Sequence, residues 1–237
     1  MSSVELRPTS EKWNMKDRVV VISGATGVTG QAAAHAFAEQ GASLALISRD
    51  QGKLDALVRD LDLPKDRILA RNIDLLDGSA VQEASQAVSA AFGRTDVLIH
   101  LIGGWTGGRT ISQSGTDEFK FMLDQHAWTT IHLLRAFSPA LSKNEWGRVI
   151  AVTSPLAENP TGKMGPYALG KAAQETLILT LADEFKDTNL TANVIQVKAI
   201  DVKGRGDGTS PSEIVAAMLY LCSDEAARVN GARLPLY

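Results

Sequence analysis

The sequence predicts an α/β domain: a single doubly wound parallel sheet of about seven strands with helices on both faces. Three observations predict it. Short β-branched runs alternate with helix-length patterns from residue 18 onward. Connections of that length let successive strands run parallel, with right-handed crossovers between them. The chain has 237 residues, 44% hydrophobic and 22% charged, with no linker, repeat or composition break to divide it. Residues 1–16 read as an N-terminal extension and 17–237 as the domain.

The elements follow in order. Residues 18–23 (RVVVIS) form a buried first strand, and the Ala-rich 31–40 a helix that Gly41 ends. A second strand covers 43–48, and Asp50 N-caps a helix to about residue 61. Residues 67–72 are the third strand and 79–92 the next helix. The fourth strand is 96–101 (DVLIHL), followed by one long helical stretch from about 117 to 141 with Pro139 near its end. The fifth strand is 148–153, the next helix 167–186, and the sixth strand 191–197. Ser210-Pro211-Ser212-Glu213 is a capping box with proline at the first helical position, opening a helix to about 222. Residues 232–235 fit a short last strand. Ligands of such sheets bind at the carboxyl ends of the strands, near the switch point. That crevice gathers residues 24–30, 100–104, Ser154 and 199–202.

Composition excludes several classes. A net charge of −3 and a pI of about 5.8 leave no electrostatic footprint for nucleic acid. No uncharged apolar run is long enough to cross a bilayer, and the mixed charges of residues 1–16 do not read as a signal peptide. The single cysteine, Cys222, cannot form an intrachain disulfide, and its apolar surroundings suggest burial rather than nucleophilicity. Cytoplasmic localisation is expected. The four histidines lack metal-ligand spacing, so no metal is expected.

After the first strand comes S-G-A-T-G-V-T-G, with Gly24, Gly27 and Gly30 around Thr26, Val28 and Thr29. One glycine permits a tight turn, one lets a phosphate approach backbone, one lets helix pack on strand. Free N–H groups and the dipole at the helix N-terminus favour that anion. Three glycines alone can be a mere tight turn; between a strand and an Ala-rich helix they point to a dinucleotide and a Rossmann-type sheet. The second strand ends in Ser48-Arg49-Asp50, with no acid at its end to meet an unphosphorylated ribose. Arg49 suits a 2′-phosphate, which favours NADP(H) over NAD(H). Its alternative is a solvated loop charge.

Ser154 ends the fifth strand, Tyr167 begins a helix, and Lys171 follows one turn on. The i,i+4 spacing puts ammonium and phenol on one face. A phenol of pKa about 10 is a poor acid–base at neutral pH, and a nearby cation favours its phenolate. A serine hydroxyl can hold a substrate oxygen beside it. The constellation suits proton transfer coupled to hydride transfer.

This ordered set resembles the short-chain dehydrogenase/reductase family, from about residue 17 to the C-terminus. It comprises the glycine turn, Asp74-Leu75 after the third strand, a glycine turn with Gly103 after the fourth, Ser154, Tyr167 and Lys171. The resemblance implies an NAD(P)(H)-dependent oxidoreductase acting on a small-molecule alcohol or carbonyl, assembled as a homodimer or homotetramer. It implies Tyr167 as proton donor or acceptor, Lys171 as the group that lowers its pKa and binds the nicotinamide ribose, and Ser154 on the substrate oxygen. It places Asp74 and Leu75 at the adenine and Ile200 at the cofactor. The sequence also departs from the family. Val28 replaces a glycine, and the Gly24/Gly27/Gly30 spacing is nearer the extended branch, whose substrate domain needs a longer chain. His100-Leu101-Ile102-Gly103 replaces Asn-Asn-Ala-Gly, and Val197-Lys198 replaces Pro-Gly. His126 aligns with the catalytic asparagine, and an imidazole there is expected to titrate near neutrality.

Other candidates have plainer readings. His126 and His132 suit unremarkable helix positions, His35 a structural one, and His100 either a cofactor contact or packing. Trp105, in a Gly-rich loop, is the best pocket candidate. Residues 201–211 are short and Gly-rich where relatives carry a longer segment, which predicts a mobile, open-sided pocket or a wall supplied by a neighbouring subunit. A carbonyl reductase or alcohol dehydrogenase is the first expectation. A cofactor-binding sensor or scaffold with little catalysis is the alternative.

Overall fold

The computed structural model describes residues 13–237. Seven strands form one sheet in the order β3-β2-β1-β4-β5-β6-β7, every neighbouring pair parallel. They are β1 (Val19–Ser23), β2 (Ser43–Ser48), β3 (Ile68–Asn72), β4 (Val97–His100), β5 (Gly147–Thr153), β6 (Leu190–Gln196) and β7 (Arg233–Pro235). The helices are α1 (Val28–Glu39), α2 (Gln51–Leu61), α3 (Gly78–Phe92), α4 (Thr116–Leu123), α5 (Thr129–Leu141), α6 (Gly165–Glu184) and α7 (Pro211–Leu221). The expected doubly wound α/β sheet is therefore present.

The inner strands β1, β2 and β4 read as continuous apolar runs because both faces are covered, whereas the edge strands β3 and β7 are half-buried or exposed. Along β1, Val20 and Ile22 join one core with Phe37 of α1, Leu54 of α2 and Met218 of α7. Val19 and Val21 join the other, with Val88 of α3, Phe137 of α5 and Ile178 of α6. The period of two thus assigns alternate side chains to opposite cores. The chain winds outward from β1 to β3, then returns to place β4 against β1. That return leaves the crevice at the carboxyl ends of β1 and β4.

Both caps read from sequence form: Asp50 accepts the Lys53 N–H at 3.0 Å, and Ser210 with Glu213 closes the capping box. The stretch around 117–141 differs from expectation. It is not one α-helix: Asp124–Trp128 makes a π-helical turn between α4 and α5. The widened turn alters the carbonyl ladder, and the Thr129 and Thr130 hydroxyls donate to the Gln125 and His126 carbonyls. The turn buries Gln125, His126 and Ala127. Residues 1–12 of the expected extension lie outside the described residues. Within it, Met15 is buried in the core and its N–H donates to the Gln40 carbonyl at 2.9 Å.

Residues 201–209 are more ordered than their glycines suggest. The Asp201 carboxylate accepts the N–H groups of Gly206 at 2.7 Å and Arg205 at 2.9 Å, and these bonds hold it below the usual carboxylate range. Ile200 and Thr209 bridge the ends of the loop. The segment is a compact turn, and Val202 remains 59% exposed.

Candidate active site

The glycine turn is built by sterics. Gly24 has φ +75°, and a Cβ there would meet the Leu101 backbone at 3.0 Å. A Cβ at Gly30 would lie 2.2 Å from the Gly24 carbonyl oxygen, so only glycine lets α1 pack onto the turn. A Cβ at Gly27 would meet only that oxygen, at 3.4 Å. The protein itself makes no steric demand there; the bare backbone leaves room on the cleft side. The first-turn N–H groups of α1, from Val28 onward, have no intrahelical acceptor. This is a cradle that fits a dinucleotide phosphate. Thr26 is turned elsewhere: its hydroxyl is 2.7 Å from Ser48 Oγ, tying the turn to the end of β2.

Gly24, Gly27, Val28 and Thr29 line a cleft of about 520 Å³ together with Gly103, His126, Tyr167, Lys171 and Ile200. Thr26, Arg49, Asp74, Leu75 and Ser154 are not on its walls. Arg49 is exposed at the end of β2. Its neighbour Asp50 is engaged with α2 through the Lys53 backbone N–H, which lowers its pKa. Asp74 folds its carboxylate onto the Leu76 N–H at 3.0 Å; Leu75 is buried, and its carbonyl meets His132 Nδ1 at 2.7 Å. His35 pairs with Asp60 at 3.0 Å.

Ser154 is buried at the end of β5, where its hydroxyl accepts the Leu156 N–H at 3.3 Å. It also stands near enough to the Tyr167 phenol to lower that group's pKa. Tyr167 stands in the first turns of α6, which Pro166 helps to start. Burial raises its pKa, and the neighbouring Ser154 hydroxyl opposes that. The expected lowering by Lys171 is thus not realised in this structure. Lys171 is buried and its Nζ donates to the Val152 carbonyl at 2.9 Å and to Gln174 Oε1 at 3.0 Å. Burial lowers the Lys171 pKa to about 7, against the pull of Glu175.

His126 is fully buried, its ring edge-on to Tyr167 with centroids 5.8 Å apart. Its Nε2 lies 3.1 Å from the Gly104 carbonyl oxygen, which can only accept, so that nitrogen carries the proton. Nδ1 is a buried acceptor without a partner. Burial first, then the Lys171 charge, lowers the His126 pKa to about 3. The residue is neutral at physiological pH, which corrects the expectation of titration near neutrality. Gly170 makes room for it: a Cβ there would meet the Met122 carbonyl at 2.8 Å and the imidazole at 2.9 Å. His100 is packed rather than free: Nδ1 is 2.8 Å from Ser23 Oγ and Nε2 3.4 Å from Thr129 Oγ1. Cys222 is buried, with its pKa pushed up to about 12 by that burial.

Trp105 lines the cleft and is 62% exposed. Three contributors were not singled out from sequence. Gly104 holds His126, Gly170 accommodates it, and Gln174 binds Lys171. The signal for the last was available: a polar side chain three residues after Lys171, on the same helix face. Among the described residues no group of three His, Cys, Asp or Glu side chains converges on a metal-sized site, and no helix is long and apolar enough to cross a membrane.

Residues 18–210 match the short chain dehydrogenase family model. A meso-2,3-butanediol dehydrogenase of Serratia marcescens is 28% identical over 239 residues, covering 93% of each chain. A 7alpha-hydroxysteroid dehydrogenase of Escherichia coli K12 is 24% identical over 243 residues, covering 94% of this chain and 93% of the relative. Two solved structures share the fold. A short chain oxidoreductase of Pseudomonas aeruginosa PAO1, described as containing an atypical catalytic center, superposes with a TM-score of 0.86 at 22% identity, covering 94% of this chain and 97% of its own. A short chain dehydrogenase of Bacillus anthracis gives 0.86 at 24% identity, covering 94% and 95%. The chain belongs to the short chain dehydrogenase family and is an NAD(P)(H)-dependent oxidoreductase acting on CH–OH or C=O groups.

Proposed function

We propose that the protein is an NADPH-dependent carbonyl reductase, with alcohol oxidation as its reverse, working through Ser154, Tyr167 and Lys171. The observation that carries this reading is that Tyr167 and Lys171 open on the same cleft as the glycine turn, with the Ser154 hydroxyl near the phenol. The nicotinamide cofactor, when bound, supplies the hydride. The glycine turn and the first turn of α1 would hold its phosphates, with Asp74 and Leu75 toward the adenine and Ile200 on the cleft wall. Tyr167 donates the proton to the carbonyl oxygen, and Ser154 steadies that oxygen through its hydroxyl. The phenol carries its proton at neutral pH, the state that donation to a ketone requires, while its raised pKa makes it a weaker acid that relies on a neighbouring cation to favour the phenolate. Lys171, through its remaining N–H, would bind a ribose hydroxyl and favour the phenolate that donation leaves. His126 contributes a fixed, neutral acceptor beside the phenol. The test is NADPH oxidation against aldehydes, ketones, quinones and imines; no turnover with any class would favour a cofactor-binding role with little catalysis. That second reading draws on Lys171 being held by Val152 and Gln174.

The cofactor preference rests on Arg49. Asp50 is held by α2, and among the described residues Arg49 has no ion-pair partner. A charge-assisted contact to a 2′-phosphate is worth about 1.5–3 kcal/mol, or roughly 10- to 100-fold. NADPH is therefore expected to bind more tightly than NADH, and Arg49→Ala to remove most of the difference. Equal wild-type affinities in a fluorescence titration would refute the preference.

The substrate side is open and apolar, with Trp105 and Val202 exposed at its mouth. An indole there stacks on flat rings. Trp105→Ala is expected to lower kcat/KM for aromatic ketones about tenfold and to change it little for the smallest ketones. A graded ketone series decides this; an equal loss across all sizes would show that Trp105 does not set substrate choice. Cytoplasmic localisation accords with the free thiol of Cys222. A homodimer or homotetramer accords with the exposed Phe121 and Trp128 on one helical stretch.

A further inference from the structure

A helix face packed on a sheet is apolar by default. α6 departs from that default at Gln174, which is fully buried one turn after Lys171. Its Oε1 accepts from Lys171 Nζ at 3.0 Å. An ammonium has only donors, so the amide oxygen must face it. That orientation leaves Nε2 buried without a partner. A leucine at the same place would leave no such orphan. The amide is therefore accounted for by what its oxygen does. The Val152 carbonyl is the second acceptor, at 2.9 Å. Two of the three ammonium protons are thus fixed, and one remains for the cleft.

We propose that Gln174 is a positioning residue for Lys171: its amide oxygen, with the Val152 carbonyl, fixes the ammonium at the back of the cleft and keeps it charged. The effect on turnover rests on the role given to Lys171 above; the effect on its titration does not. The groups around Lys171 come from several elements. Glu175 of α6 favours the charge, and its carboxylate is itself held by Arg233 of β7 and Gln196 of β6. Glu158 shares Arg233 and Gln196. His126 from the π-helical turn and His100 from the end of β4 are neutral bases that feel the Lys171 charge. Tyr167 of α6 is a neutral phenol with a raised pKa. Gln174 and Val152 supply the oxygens that bond the ammonium directly.

The sign follows. Gln174 stabilises the charged form, so removing its oxygen lowers the Lys171 pKa, and the ammonium is lost at lower pH as pH rises. Replacing it with a carboxylate raises the pKa. The measurement is a ¹³C NMR titration of the full-length protein carrying ¹³Cε-lysine, with the Lys171 signal assigned through Lys171→Met. In Gln174→Leu the midpoint is expected to fall by about one pH unit, a tenfold loss of proton affinity. In Gln174→Glu it is expected to rise. The alkaline limb of the pH–rate profile with NADPH should move in the same direction in each variant. A structural role would change the melting temperature and leave the Lys171 midpoint where it is; an unmoved midpoint overturns the proposal. Should Gln174→Leu fail to fold, Gln174→Glu decides alone, and a midpoint that fails to rise overturns it. Failure of the acid–base reading shows separately, as retained turnover in Tyr167→Phe, while the NMR midpoint still decides Gln174.

Discussion

Tyr167→Phe is expected to abolish carbonyl reduction while leaving cofactor affinity within about a factor of two. The expected loss is at least about 10²–10⁴ in rate, because the substitution removes the transferable proton and little else. The ring is half-buried and edge-on to His126, and phenylalanine keeps that packing. Loss of one hydroxyl that is not fully buried costs at most about 1 kcal/mol of stability, so the variant should fold normally. Single-turnover rates with saturating NADPH, beside a cofactor titration, separate chemistry from binding. Retention of most of the wild-type rate would remove Tyr167 from the mechanism.

This expectation holds even though the structure departs from the simplest reading of the Tyr-x-x-x-Lys spacing. Helical spacing places the ammonium and phenol on one face, and it does so here. Spacing says nothing about competing acceptors. Lys171 meets two oxygens deeper in the fold, Val152 O and Gln174 Oε1, and these hold its ammonium. A buried phenol then titrates according to its desolvation and to Ser154, not to the lysine. Reduction requires a phenol that still has its proton, and removal of that proton requires the phenolate to be favoured, which is the part left to Lys171.

Most of the sheet was legible because the inner strands β1, β2, β4, β5 and β6 are buried on both faces; the edge strands β3 and β7 are half-buried or exposed. The six residues expected for β2 are the six observed, and the other strands differ by at most a residue at either end. The caps at Asp50 and Ser210 were legible because their side chains have one local use. The π-helical turn at Asp124–Trp128 was not: the polarity pattern there continues as in an α-helix, and one extra residue per turn leaves no mark on composition. The ordering of 201–209 was also hidden. Gly204 and Gly206 do sit at positive φ, but as a turn that closes on the Asp201 carboxylate. A flexible composition and a capped turn look alike until the acceptor's position is known. The neutral state of His126 likewise depends on burial and on Lys171, a neighbour from another element.

Two alanine substitutions in the glycine turn are expected to fail in different ways. At Gly30 the new Cβ would lie 2.2 Å from the Gly24 carbonyl oxygen and 2.7 Å from that of Ala25. Both are backbone atoms, so no rotamer relieves the overlap; α1 must move off the turn. Overpacking of this kind costs typically about 1–3 kcal/mol, and more when backbone must shift, against a helix-propensity gain of at most about 1 kcal/mol. A domain of this size should then lose several degrees in Tm, at roughly 2–4 °C per kcal/mol. Cofactor affinity should fall at least about tenfold, because the first-turn N–H groups of α1 move with the helix. At Gly27 the backbone is extended, with φ −72°, and the nearest atom to a Cβ lies at 3.4 Å. Gly27→Ala should therefore melt close to the wild type, within about 0.5 kcal/mol of its stability, yet bind NADPH weakly because the methyl group occupies the space above the turn. Melting curves and NADPH titrations on the two variants make the comparison. A Gly30→Ala protein as stable as the wild type would contradict the packing of α1 on this turn. Unchanged NADPH affinity in Gly27→Ala would place the phosphates somewhere other than over Gly27.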